Sequence, residues 1–360
     1  MKIAIDGKWY CDGPPGGRTY VRNMVDALSR RDPDNSYICY VRSGDMVRGT
    51  AGMSFQPLRP DFSLIRTGVS FLRAAVRDGA DILFTQSLAP FSHRLPLVTA
   101  VYDVLYRDYP QFFTFTERIY FRFIDRSIRK ADIIITLSNY SRDRIMQWFG
   151  MDAERILITP CAANERFRPI RDDVMIRDIR ARYRLPESFL LYVGRLNSRK
   201  NLPRLFKALS RCPGGPPLVC VGRRDWKSDP LESLIARLGL EKRIVFTGGV
   251  PDEDLPLIIN ASMALCYIPF AEGFGIPPLE AMACGKPVLA SRATAIPEVV
   301  GDAGLLVDPS SDEEIADAME HLVHDSALRE NLGARGIARA ADFTWDRSAD
   351  VLIELWKRFL

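Results

Sequence analysis

The sequence has no apolar run approaching the ~20 residues a helix needs to cross a bilayer, which excludes a helical membrane protein. It opens Met1-Lys-Ile-Ala-Ile-Asp6, a strand pattern and not the charged-then-apolar pattern of a signal peptide. Histidine is scarce, with only His93, His321 and His324, and no ligand spacing beyond His321-x-x-His324, so no metal centre is expected. The seven cysteines include no C-x-x-C pair, and several lie in apolar runs such as Pro217-Leu-Val-Cys-Val221. An odd number of thiols in such settings fits free thiols in a reducing, cytoplasmic location better than disulfide bridges or a zinc site. Net charge is only +4, too little for a protein whose main partner is nucleic acid.

What is present is ordinary for a folded chain: 360 residues, 47% hydrophobic and 26% charged, enough for two domains. The positive excess is uneven. Residues 1–165 carry 22 basic and 18 acidic side chains, whereas residues 166–360 carry 27 of each.

Short β-branched runs recur at 2–6, 37–41, 82–85, 97–103, 132–137 and 156–160, separated by segments of helical period such as 19–30 and 117–130. After an irregular polar stretch and one helix across 161–187, the pattern restarts with strands at 189–194, 218–222, 244–248, 263–269, 287–291 and 304–308. Buried strands alternating with helices predict two doubly wound α/β domains in tandem, facing each other across a cleft. Ligands of such sheets bind beyond the carboxyl ends of the strands, so the strand-to-helix loops are where chemistry is expected.

Three loops stand out. Tyr267-Ile-Pro-Phe-Ala-Glu-Gly-Phe-Gly-Ile-Pro-Pro-Leu-Glu280 runs from a strand through a glycine-bearing turn to prolines suited to a helix start. Backbone N–H groups around Gly273, Phe274 and Gly275 then form an anion site at a helix N-terminus. Glu272 in the loop and Glu280 in the first helical turn can each accept paired hydrogen bonds from vicinal hydroxyls of a sugar or ribose. The competing reading makes Glu280 a complement to the helix dipole and Glu272 a solvated side chain. The second loop, Gly194-Arg-Leu-Asn-Ser-Arg-Lys-Asn201, offers Arg195 and Lys200 to neutralise a diphosphate. Arg199 reads better as an exposed basic residue. The third, Asp12-Gly-Pro-Pro-Gly-Gly-Arg-Thr19, has Gly16 and Gly17 where backbone can approach a ligand or simply turn. It is not G-x-G-x-x-G, which disfavours a nicotinamide dinucleotide.

These blocks, with Ile296-Pro-Glu-Val-Val-Gly-Asp-Ala-Gly304 and Ala131-Asp-Ile-Ile-Ile-Thr-Leu-Ser138, resemble a retaining glycosyltransferase of the GT-B fold, family four, along nearly the whole chain. The resemblance implies a nucleotide-sugar donor, retention of anomeric configuration, no metal and no cofactor. It implies that Arg195 and Lys200 bind the diphosphate and Glu280 the ribose. Glu272 would hold the donor sugar beside the backbone of Phe274 and Gly275, with Val250 touching the base and Gly16 and Gly17 closing from the other domain. The boundaries expected are 1–165 for an acceptor-binding domain, 166–344 for a donor-binding domain and 345–360 for a helix crossing back to the first. The Phe-Gly-Ile-Pro-Pro-Leu-Glu-Ala form resembles mannosyltransferases, which points to GDP-mannose, with UDP-hexoses next, and to a glycan or lipid-linked acceptor in polysaccharide biosynthesis. Such enzymes usually carry His-Asp at the end of the strand region that here spans 97–103; in this chain Tyr102-Asp103 stands instead. A phenol does not protonate near neutrality, so Tyr102 can donate a hydrogen bond to a sugar hydroxyl but not act as that His would as a base, and Asp103 is left to meet the acceptor hydroxyl.

Alternatives remain at this point. The missing His keeps open a non-catalytic nucleotide-sugar-binding scaffold. An epimerase or phosphorylase of the same fold is the enzymatic runner-up. Asp252-Glu-Asp254 has the D-x-D form of a metal-bound nucleotide site, but acidic residues at a helix start account for it better. The segment Glu117–Lys130 sets Arg118, Arg122, Arg126 and Arg129 or Lys130 along one stripe, the pattern of a helix on an anionic membrane surface or of a core helix with a basic outer face.

Overall fold

The alternating pattern builds two parallel sheets in the computed structural model, in which residues 1–45, 47, 49, 52–224 and 231–359 are described. Leu360, included above in the last helix, lies outside the described residues. The chain divides into one unit of residues 1–161 with 344–360 and a second of residues 162–343.

The first unit holds β1 (Lys2–Asp6), β2 (Ser36–Arg42), β3 (Met53–Leu58), β4 (Ile82–Gln86), β5 (Leu97–Ala100), β6 (Ile133–Thr136) and β7 (Ile156–Ile158), ordered β3-β2-β1-β4-β5-β6-β7. Every pairing in it is parallel. Strand β3 escapes the sequence pattern because Met-Ser-Phe-Gln-Pro-Leu is neither an apolar run nor β-branched. Its Pro57 is tolerated at the sheet edge, where a missing N–H costs no central ladder bond. Residues 344–360 belong to this unit: the helix Trp345–Trp356 lies on the helix Pro15–Arg31, tied by Arg30–Asp346 at 3.1 Å and Arg31–Asp350 at 2.8 Å. Its Trp356 is fully buried and donates through Nε1 to the Tyr37 hydroxyl at 3.1 Å.

The second unit holds β8 (Leu190–Val193), β9 (Leu218–Val221), β10 (Ile244–Gly248), β11 (Ala264–Tyr267), β12 (Val288–Ser291) and β13 (Leu305–Val307), ordered β10-β9-β8-β11-β12-β13. Strands β8, β9, β11 and β12 are buried along their whole length, as expected for parallel strands covered on both faces. In both sheets the order reverses at the first strand, between β1 and β4 and between β8 and β11. Connections leave these neighbouring strands in opposite directions, which opens a crevice at their carboxyl ends.

Candidate active site

At the β8/β11 crevice the loop after β8 turns through Ser198–Lys200 into the helix Leu202–Arg211. Asn201, buried and at φ +62°, fixes that turn by donating its amide to the carbonyls of Ile268 and Pro309 at 3.0 and 2.8 Å. The Phe270 N–H bonds the Arg199 carbonyl at 2.9 Å, so the two loops are laced together. Tight approach is required here. Gly222, after β9, is at φ +150°, and a Cβ on it would sit 1.9 Å from the Gly194 carbonyl oxygen.

Glu272 is the centre of this arrangement. One carboxylate oxygen, Oε1, takes both Arg199 Nη1 at 2.8 Å and Lys200 Nζ at 2.5 Å, and Lys200 also reaches the Tyr267 hydroxyl at 2.6 Å. Arg199 donates further to the Ala271 carbonyl. Its side chain is mostly buried, which corrects the expectation of an exposed basic residue: pairing with Glu272 offsets what burial costs. Arg195 is exposed, with its carbonyl held by the Tyr192 hydroxyl at 3.0 Å. Burial pulls the Lys200 ammonium down to about 8, with Glu272 opposing that only in part. Burial would raise the Glu272 carboxyl, but Arg199 and Lys200 outweigh it and hold the group below its ordinary range. The Glu272 side chain is only 13% exposed, so it is not the solvated group of the competing reading. Its N–H bonds Thr294 Oγ1 at 2.9 Å, and Thr294 stands at φ +53°.

Gly275, at φ +125°, caps the helix Ile276–Ala283, and a Cβ there would meet Ile296 at 2.7 Å. Phe274 is buried edge-on against Phe343 at 5.9 Å. The helix begins at Ile276, before the prolines, so Glu280 is its fifth residue and not in the first turn as expected. The dipole therefore does not explain it. Glu280 is 9% exposed, and burial, reinforced by Asp252 and opposed by Arg166, pushes its carboxyl up to about 8. Val250, half-buried, lies two residues beyond β10.

In the first unit, Gly16 and Gly17 are not in the loop as expected but in the first turn of the helix Pro15–Arg31, because Pro15 is already set at a helical φ. Tyr102, two residues past β5, donates to Gln86 Oε1 at 2.8 Å, and Asp103 accepts the Leu105 N–H at 3.1 Å, starting the next short helix. Gly17 and Tyr102 meet the same residue. A Cβ on Gly17 would lie 2.7 Å from the Trp9 ring, and Trp9 packs on Tyr102 with centroids 6.0 Å apart.

The D-x-D element is divided. Asp252 is exposed, while Asp254 is buried and accepts from Arg182 Nη1 at 2.8 Å and the Tyr183 hydroxyl at 2.6 Å. Asp254 stands at the start of the helix Leu255–Ala261, as expected, but its carboxylate binds the end of the helix Asp173–Tyr183 and does not cap its own helix. Among the described residues no cluster of three metal-ligating side chains occurs, and no helix is long and apolar enough to cross a membrane. Asn201, Thr294, Gln86 and Trp9 carry no motif of their own; of these only Asn201 stood inside a block singled out above.

Residues 176–339 match the family described as glycosyl transferases group 1, and residues 15–167 match glycosyltransferase family 4. The chain is 34% identical over 293 residues to the O-antigen chain mannosyltransferase B of Escherichia coli, covering 79% of this chain and 76% of that protein. It is 29% identical over 238 residues to the serotype-specific mannosyltransferase WbdA of the same species, but spans only 29% of that longer protein. It is 33% identical over 238 residues to the GDP-mannose-dependent alpha-(1-6)-phosphatidylinositol monomannoside mannosyltransferase of Mycobacterium tuberculosis, covering 62% of this chain and 61% of that one. Among solved structures, sucrose-phosphate synthase of Thermosynechococcus elongatus superposes with TM-score 0.80 at 23% identity, covering 99% of this chain and 98% of that one. Anabaena HepE in complex with UDP-glucose gives 0.77 at 22% identity, covering 99% of this chain and all of that one.

Proposed function

The chain belongs to the family-four glycosyltransferases of GT-B fold, and from that premise we propose that it moves mannose from GDP-mannose to a hydroxyl of a glycan or lipid-linked acceptor in polysaccharide biosynthesis, with retention of configuration and without a metal. The observation that carries the reading is the Arg199–Lys200–Glu272 cluster beside the start of the helix carrying Glu280. Two partly desolvated cations share one carboxylate oxygen, so positive charge is held ready for a diphosphate. The buried Glu280 carboxyl, whose carboxylate form awaits hydrogen-bond donors, suits vicinal hydroxyls of a ribose. As the sugar–phosphate bond breaks, Lys200 and Arg195 stabilise the charge growing on the diphosphate, preorganised as in an oxyanion hole. The acceptor hydroxyl attacks from the leaving group's own face, and the departing phosphate oxygen takes its proton.

GDP-mannose is preferred because the M. tuberculosis relative is named for it; UDP-hexose is the second reading, favoured by the UDP-glucose complex of HepE. A thermal-shift screen separates the two, since a ligand bound at 100 times its Kd stabilises by about 2.7 kcal/mol. GDP-mannose should raise the melting temperature and UDP-glucose should not. Transfer to a mannose-terminated acceptor, with the product's anomeric configuration read by NMR, tests the rest. Donor binding with no transfer to any acceptor would leave a nucleotide-sugar-binding scaffold.

The acceptor side suits a membrane-linked substrate. In the helix Phe115–Lys130 the outer stripe reads Phe115, Arg118, Ile119, Arg122, Arg126 and Arg129, without an acid, while Ile124, Asp125, Ser127 and Ile128 are buried. Phe115 is 71% exposed at the end of this stripe. Exposed apolar groups beside uncompensated arginines match an anionic bilayer surface, each cation contributing about 1 kcal/mol there. Co-sedimentation with phosphatidylglycerol vesicles at low salt, abolished by replacing the four arginines with glutamine, is the expected result; no binding removes the membrane from the proposal.

A further inference from the structure

The mechanism above leaves unused a buried polar group at the other crevice, between β1 and β4. Lys8, two residues past β1, is 1% exposed. Its ammonium donates to the Gln86 carbonyl at 2.8 Å, stands 3.9 Å from Asp6 and 4.7 Å from the centre of the Trp9 ring. Asp6 is in turn held by Thr67 at 2.7 Å and lies 3.6 Å from Arg66 Nε. A cation so deeply enclosed is expensive, and burial draws it down to about 8, with Asp6 offsetting only part. What it holds is the main chain of Gln86, the last residue of β4. The Gln86 side chain, also buried, then accepts the Tyr102 hydroxyl at 2.8 Å. The ring of Tyr102 is wedged between Trp9 and Tyr20, with centroids at 6.0 and 5.1 Å.

We propose that Gln86 is a positioning residue that turns the Tyr102 proton inward, so that the phenol oxygen offers only lone pairs and accepts a hydrogen bond from a hydroxyl of the acceptor sugar. The polarity follows from the geometry. A phenol has one proton, and once that is given to Gln86 Oε1 the oxygen can only accept. Lys8 holds the Gln86 main-chain carbonyl and so the strand end from which the side chain projects, and Trp9, pressed on Gly17, blocks the Tyr102 ring from swinging away. Burial, with Tyr20 beside it, also keeps the phenol protonated well beyond neutral pH, so the contact is independent of pH where a histidine's would not be. This inference rests on the reading that Tyr102 meets a sugar.

The test is a double-mutant cycle with GDP-mannose as donor and methyl α-D-mannoside as acceptor. Tyr102→Phe and Gln86→Leu should each raise the KM for methyl α-D-mannoside by about 3–10-fold, the value of one neutral hydrogen bond, with kcat nearly unchanged. The double variant should be no worse than Tyr102→Phe, because both remove one contact. Gln86→Glu, still an acceptor for the phenol, should restore KM, and the KM ratio of variant to wild type should stay flat from pH 6 to 8. Additive effects, or an unchanged KM in Gln86→Leu while Tyr102→Phe raises it, overturn the role of Gln86 and leave the site reading standing. Wild-type kinetics in Tyr102→Phe overturn both. Should no transfer occur, acceptor binding read by saturation-transfer NMR replaces KM: loss of the methyl α-D-mannoside signal in Tyr102→Phe but not in Gln86→Leu also overturns the inference.

Discussion

Glu280→Gln should make the protein more stable and worse at binding its donor, and the two effects should separate by pH. The Glu280 carboxyl titrates at about 8 in the folded chain against an ordinary 4.5, raised by burial and by Asp252 and relieved only by Arg166. Between those values the folded protein keeps a proton that the unfolded chain releases. Stability therefore falls with rising pH from about 4.5 to 8 by about 1.4 kcal/mol per unit and is level above. At pH 5 the acid and the amide are near equivalents, and the variant should match the wild type. At pH 7.5, three units above the unfolded value, the wild type bears a cost of about 4 kcal/mol that glutamine does not. With about 2–4 °C per kcal/mol for a unit of this size, the variant should melt roughly 8–16 °C higher at pH 7.5. The assay is differential scanning fluorimetry of both proteins from pH 5 to 8.5. A melting difference that does not grow with pH, or a variant less stable at pH 8, refutes the account of a carboxylate held without a partner. In parallel, GDP-mannose affinity should drop about 10–100-fold in the variant, the value of a charge-assisted hydrogen bond. Wild-type affinity should rise from pH 6 to 8 as the carboxylate form becomes available, and that rise should vanish in Glu280→Gln.

Lys200→Ala should lower turnover about 100–1000-fold at saturating donor, since it removes a charge stabilising the leaving diphosphate worth roughly 3–4 kcal/mol; near wild-type turnover would refute its placement. Gly222→Ala should destabilise by about 2–3 kcal/mol and impair donor binding, because its Cβ would strike the Gly194 carbonyl and displace the loop bearing Arg195, measurable by urea melts and donor titration. Asp254→Asn should cost about 1–2 kcal/mol of stability by weakening its bonds to Arg182 and Tyr183, yet leave turnover unchanged with or without a chelator; parallel losses of turnover in Asp252→Asn and Asp254→Asn would restore a metal role.

Much of the site could be read from the chain, because strand-to-helix loops of a parallel sheet carry their chemistry in contiguous residues. The block from Tyr267 to Glu280 and the block from Gly194 to Asn201 each announced themselves. Their pairing did not. Nothing in the spacing says that Arg199 and Lys200 share one oxygen of Glu272, more than 70 positions away, and a tight turn carries no hydrophobic period to read. The same holds for Asp254, whose partners Arg182 and Tyr183 come from another helix, and for Gln86, an unremarkable strand-end residue until Lys8 and Tyr102 close on it.

By itself the sequence determined the two tandem parallel α/β units, the strand-to-helix loops that carry the candidate chemistry and the family, because hydrophobic period and glycine-proline punctuation are local signals. The tertiary structure decided the electrostatics. Which cation is buried against which carboxylate, that Glu280 is a buried acid pushed up to about 8, and that Tyr102 gives its proton to Gln86 all depend on desolvation and on distances between segments far apart in the chain. Burial multiplies charge interactions that a linear sequence cannot place.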